Sequence, residues 1–194
     1  MKKLFLYFVI GFFILFYFFL TVYVFPEFYL SQELLVSQPY LEISVSEFDI
    51  SLGDSFDLSI SSENRGDYGD IHTVSVGFPD LVEIDDDVVQ IISYDFSQSS
   101  VYLLPGEDIS ADYSTGVIST MAQYPSIEAM NRPVFPKSQN QMTMSITPEF
   151  SGPFTIYIKA VNVPHIADVS HFPQSGILDQ QREHVLVYSI NVIP

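Results

Sequence analysis

The chain has 194 residues, with 24 acidic side chains against 7 basic ones, no cysteine and no tryptophan. All the carboxylates follow Pro26, so the part from Glu27 onward holds 24 acids against 5 bases, a formal charge of about −19, which argues against a nucleic-acid or anionic-lipid surface on that part. Without cysteine there is no disulfide framework, thiolate nucleophile or cysteine-ligated metal.

The first element in chain order is an uncharged stretch over residues 4–25, LFLYFVIGFFILFYFFLTVYVF, which at helical rise extends roughly 33 Å and matches a bilayer's hydrocarbon thickness. It predicts a transmembrane helix, with the lipid bilayer as partner along residues 4–25. A cleaved signal peptide would need a shorter apolar run and an Ala-x-Ala site, and the first alanine is Ala111. Lys2 and Lys3 predict a cytoplasmic N-terminus and an extracytoplasmic C-terminal part. The expected layout is therefore residues 1–26 as cytoplasmic N-terminus and span, 27–39 as a juxtamembrane stalk, and 40–194 as the outer domain.

After Pro39 the periodicity changes from helical to alternate-residue. Leu41, Ile43 and Val45 alternate with Glu42, Ser44 and Ser46, and the same pattern recurs at Phe56, Leu58 and Ile60 and at Val74, Val76 and Phe78. Further apolar runs lie at Val88 to Tyr94, Val101 to Leu104, Met142 to Thr147, Phe154 to Val163 and Val185 to Ile193. Turn residues at Leu52-Gly53-Asp54, Pro105-Gly106-Glu107 and Ser151-Gly152-Pro153 separate them. Short strands so divided predict an all-β sandwich of antiparallel sheets.

The stretch SVSEFDISLGDSFDLSISSENRGDYGDIHTVSVGF resembles the opening of an immunoglobulin-like domain of the CARDB and related adhesion type, found in archaeal and bacterial membrane-anchored surface proteins. The resemblance rests on Gly53-Asp54, Phe56 to Ile60, Asn64-Arg65-Gly66 and Ile71 to Phe78. TPEFSGPFTIYIKAVN and VLVYSINV resemble the last two strands of such sandwiches. It implies a fold and no activity. An immunoglobulin-like domain needs about 100 residues, and the surplus here falls in two expected loop insertions, residues 116–141 and 164–184. Such loops either bind or cap the open ends of the sandwich.

Three chemistries are legible in these segments. Tyr124, Ile127, Met130, Phe135, Phe172 and Ile177 are candidate apolar anchors for a partner protein of the cell envelope or of a membrane complex in which this chain is an accessory subunit. His165, Asp168, His171 and His184, beside Glu183, form the alternative, a copper or zinc site, although their spacing matches no helical metal motif. Asp85, Asp86 and Asp87, with Asn64, Asp67 and Asp70, offer oxygen ligands for calcium or else a solvated acidic edge. Arg65-Gly66-Asp67 spells an adhesion tripeptide that turn chemistry also explains. No serine elbow, phosphate loop or zinc-protease helix is present. The sequence thus predicts a non-enzymatic binding or structural module without a cofactor, possessing copper or zinc binding as its alternative.

Overall fold

The computed structural model describes residues 2–21, 35–108, 121–164, 169–180 and 182–194. The chain divides into two compact units, Met1–Leu34 and Leu35–Pro194. The first contains α1 (Lys2–Phe19), in which the Phe12 ring stacks on Phe16 one turn away, with centroids 6.1 Å apart.

At helical rise the 18 residues of α1 extend about 27 Å, short of a hydrocarbon core of roughly 30 Å, and its first two positions are lysines. Among the described residues no helix is long and apolar enough to cross a membrane. This overturns the expected single-pass location, with a cytoplasmic N-terminus and an extracytoplasmic C-terminal domain. The expected bilayer partnership of residues 4–25 depended on that span. Residues 22–25 and most of the expected stalk, 27–34, lie outside the described residues.

The second unit is an all-β sandwich. One sheet is built from β1 (Pro39–Val45), β3 (Phe56–Asn64), β8 (Gln139–Ile146) and β5 (Val89–Tyr94), in that order. The other runs β11 (Ile177–Leu178), β12 (His184–Ile193), β9 (Gly152–Val163), β4 (Ile71–Gly77), β7 (Ser126–Asn131) and β6 (Val101–Leu103). β10 (Ser170–Phe172) joins it on β9, and β2 (Asp49–Ser51) on β12.

Alternation explains the packing. In β3, Phe56, Leu58 and Ile60 are buried, and they lie opposite Ile146, Met144 and Met142 of β8. Val74 and Val76 of β4 lie between Ala129 and Ile127 on one side and Ala160 and Ile158 on the other. Phe154 links the sheets through ring contacts at 6.3 Å to both Phe56 and Phe78. Each such side chain removed from water contributes about 1.5–3 kcal/mol.

Two expectations of the fold need correction. The sheets are not wholly antiparallel, because β2 pairs with β12 in parallel. Only three residues, 46–48, carry the chain from β1 in one sheet to β2 in the other. Nor is 116–141 a plain loop insertion. Its residues 126–131 form β7, an interior strand buried at every position, whose alternation of Ser126, Ile127, Glu128 and Ala129 is cut short by Met130. The second expected loop, 164–184, contributes only the short β10 and β11.

Candidate functional site

The register of β4, β7 and β9 places Ser75 opposite Glu128 on one side and Lys159 on the other. All three point away from the hydrophobic core, whose side is taken by Val74, Val76, Ile127, Ala129, Ile158 and Ala160. This outward row is nonetheless covered, and Glu128 is only 3% exposed. Ser75 Oγ donates a 2.6 Å hydrogen bond to Glu128 Oε1.

Lys159 anchors the chain that follows β11. Its Nζ donates to Asp179 Oδ2 at 3.2 Å and also to Glu183 Oε2. Asp179 Oδ1 accepts the backbone N–H of Glu183 at 2.9 Å, and Tyr124 Oη donates to Asp179 Oδ2 at 3.3 Å. The Asp179 side chain is 0% exposed. The Tyr124 ring lies directly on Gly77, where an added Cβ would come within 2.1 Å of Cε2, and it meets Tyr157 edge-on at 5.5 Å.

The electrostatics follow from burial. Loss of water pushes the Glu128 carboxyl up to about 7, against the Ser75 hydrogen bond and the Lys159 charge, which both pull it down. Tyr124 is raised, first by burial and then by the charge of Asp179. Burial alone would lower Lys159, but Glu183 and Asp179 together outweigh it and raise the pKa. Lys159 is thereby held as an ammonium, unsuited to act as a nucleophile.

Beyond Glu183 opens a cleft of about 450 Å³ lined in part by Val169, His171, Gln174, Arg182 and His184. His184 Nδ1 is buried without a hydrogen-bond partner. Two of the four expected metal ligands, His171 and His184, thus share one cleft, while His165 and Asp168 lie outside the described residues. Among the described residues no group of three His, Cys, Asp or Glu side chains is arranged to hold a metal ion.

The expected apolar anchors separate into two sets. Ile127 is wholly buried in the core and Met130 is buried on the other face of β7, so neither offers a surface. Tyr124 is spent on Gly77 and Asp179. Phe172 packs against the core margin and meets Tyr40 edge-on at 5.2 Å. Phe135, 59% exposed beside Tyr68, and Ile177, 57% exposed, remain accessible.

Asn64 is not an available calcium ligand. Its Oδ1 accepts from Ser37 Oγ, Gln38 N, Gly66 N and Asn162 Nδ2. Asp67 Oδ2 accepts the Val36 N–H at 3.0 Å, and Arg65 stacks on Tyr40 while pairing with Glu63 at 2.8 Å. The Arg-Gly-Asp tripeptide is thus folded into internal contacts.

One constellation is not marked in the sequence. His72, buried between the sheets, contacts Ser62 Oγ through Nε2 and Asn162 Oδ1 through Nδ1. Asn162 Nδ2 in turn donates to Ser37 Oγ at 2.6 Å. The Asn162 carbonyl requires the proton on Nδ1, and burial favours the neutral ring, in which Nε2 accepts from the serine. Burial lowers its pKa. A lone polar letter at a core-facing strand position was the only signal.

No protein-family model matches the chain, and no curated protein is similar to it. Solved structures do resemble it. They include AvmM, which catalyses macrocyclization in alchivemycin A biosynthesis, at a TM-score of 0.45 and 10% identity over 81% of this chain and 89% of that one. A cohesin module from a Clostridium perfringens family 33 glycoside hydrolase has a TM-score of 0.38 and 10% identity over 82% of this chain and 98% of its own. The CARDB domain of a Pyrococcus furiosus protein, solved with di-metal ions, has a TM-score of 0.37 and 12% identity over 84% and 95%. At such scores these likenesses assign no function.

Proposed function

We propose that the β-sandwich is a non-enzymatic binding module that takes another protein as its partner, as a subunit of a larger assembly. The observation that carries this reading is β11, the outermost strand of its sheet, whose two residues Ile177 and Leu178 are 57% and 52% exposed. Exposed apolar residues gathered at one place mark contact surfaces. Lys159 holds the adjoining Asp179 and Glu183 against the sheet, so the apolar pair is preorganised and association costs less ordering.

The test uses the full chain and its Ile177→Asp/Leu178→Asp variant as baits, cross-linked in extracts of the source cells. The expected result is a stoichiometric partner cross-linked near residues 169–184 and lost about tenfold in the variant. Equal recovery by both baits, or no stoichiometric partner, overturns the reading.

A second reading, copper or zinc binding, is supported by the unpartnered Nδ1 of His184 beside His171 in one cleft. A complete site would also need His165 and Asp168. Calorimetric titration with each metal should show one site in the wild type and none in His171→Ala or His184→Ala. Equal uptake by all three ends the reading.

A further inference from the structure

The short strands β2 and β11 lie along the same edge of β12, and neither covers its middle. β11 pairs with His184 and Val185, and β2 pairs with Asn191, Val192 and Ile193. Between them, residues 186–190 have β9 on one side and, among the described residues, no strand on the other.

The ladder fixes which backbone groups face this opening. The Asn191 N–H donates to Phe48 O at 2.7 Å, Ile193 O accepts the Leu52 N–H at 2.7 Å and, just before β12, Glu183 O accepts the Asp179 N–H at 2.9 Å, so odd-numbered residues turn their polar groups toward β2 and β11. Even-numbered residues bond β9. Consistently, Asn191 lies opposite Pro153, which has no N–H to give. Val187 and Ser189 therefore direct their N–H and C=O groups into the slot.

The side chains say what would fill it. Leu186 and Tyr188 point inward and are only partly buried against the core, as are Ile43 and Val45 on the stretch leading into β2. Glu47 and Asp49 stand at the β2 end, on a chain of net charge −17, whereas at the β11 end Glu183 is already paired with Lys159.

We propose that residues 186–190 of β12 form a docking slot for an extended peptide segment of a protein partner, apolar at alternate positions and basic at the end beside β2, which joins the sheet between β11 and β2. This rests on the reading of the sandwich as a protein-binding module and gives that reading a geometry. Open backbone donors and acceptors select an extended main chain. The incompletely covered Leu186 and Tyr188 select apolar side chains on its inner face, and Glu47 and Asp49 select a basic end beside β2. A second copy of this chain brings the same negative charge and is repelled. Five residues at strand rise extend about 17 Å, so one short segment suffices.

The probe is a seven-residue peptide of alternating valine and threonine with a lysine at each end, added to the isotope-labelled full chain. At saturation, amide exchange at Val187 and Ser189 should slow about tenfold or more, while Leu186 and Tyr188, already bonded to β9, stay unchanged. Glutamate in place of the terminal lysines, or N-methylation of the peptide's valines, should each weaken binding about tenfold. Val187→Pro, which deletes an N–H facing the slot, should do the same; should that variant not fold, the N-methylated peptide makes the same comparison on the wild type. Unprotected Val187 and Ser189, or equal binding of the N-methylated peptide, overturns the slot. If the Ile177→Asp/Leu178→Asp bait still loses its partner in that event, only the slot fails and the binding module stands.

Discussion

Ser75 and Glu128 face each other across β4 and β7, and the serine hydroxyl donates a 2.6 Å hydrogen bond to a carboxyl group that almost no water reaches. Burial raises Glu128 from its ordinary 4.5 to about 7. Between those values the folded chain binds a proton that the unfolded chain has released. Stability from this group is therefore complete below pH 4.5 and is lost as pH rises through 7, a difference of about 3 kcal/mol. Glu128→Gln keeps an acceptor for Ser75 and removes the charge. Urea denaturation should show the variant more stable than wild type by about 2–3 kcal/mol at pH 8 and little changed at pH 4.5. A difference independent of pH would contradict the assignment.

Lys159 is the cation that balances Asp179, whose side chain is fully buried, and Glu183. Removing one partner of a buried pair leaves the other charged and dry, so Lys159→Met should cost about 3 kcal/mol. The triple variant with Asp179→Asn and Glu183→Gln should recover most of that loss. Limited proteolysis checks the location, because cleavage within residues 169–184 should accelerate in the single variant and return toward wild type in the triple. Unchanged cleavage would mean that Lys159 does not hold this segment.

The strands with one polar face were legible in the sequence, since Phe56, Leu58 and Ile60 alternate with Asp57, Ser59 and Ser61 and the folded β3 buries that same set. β7 was not, because its alternation runs only from Ser126 to Ala129 before Met130 breaks it, whereas Val74, Val76 and Phe78, in and just after the equally buried β4, keep step with Thr73, Ser75 and Gly77. The short β2 and β11 lack the length for a period, and the slot between them depends on where the chain switches sheets. In the candidate site, exposed Ile177 was recoverable from its place in a polar segment. The Ser75–Glu128–Lys159 row was not, because it joins residues up to 84 apart only through register.

Gly66 is fixed by close approach. A Cβ there would fall 2.1 Å from Val36 O and 2.6 Å from Gln38 N, both backbone atoms that cannot swing aside. Gly66→Ala should therefore detach residues 36–38 from the turn after β3, breaking the bonds from Arg65 N to Gln38 O and from Asp67 N to Val36 O. The expected cost is about 2–4 kcal/mol, read from the urea midpoint, with faster amide exchange at Arg65 and Asp67. Wild-type exchange at both amides would show that the contact is yielding.

His72 supplies the opposite pH limb to Glu128. Burial holds its pKa below the ordinary 6.5, so the folded chain stays neutral while the unfolded chain takes up a proton as pH falls below that value. Its stability contribution is complete above about pH 6.5 and declines toward acid. In the wild type the two groups act against each other between pH 4.5 and 6.5, so His72 is best read in the Glu128→Gln background. There, stability should rise from pH 5 to 6.5 and then level. Adding His72→Gln, which can still reach Ser62 and Asn162, should flatten that rise even if it lowers stability throughout. Persistence of the same slope after the second substitution would assign the acid limb to another group.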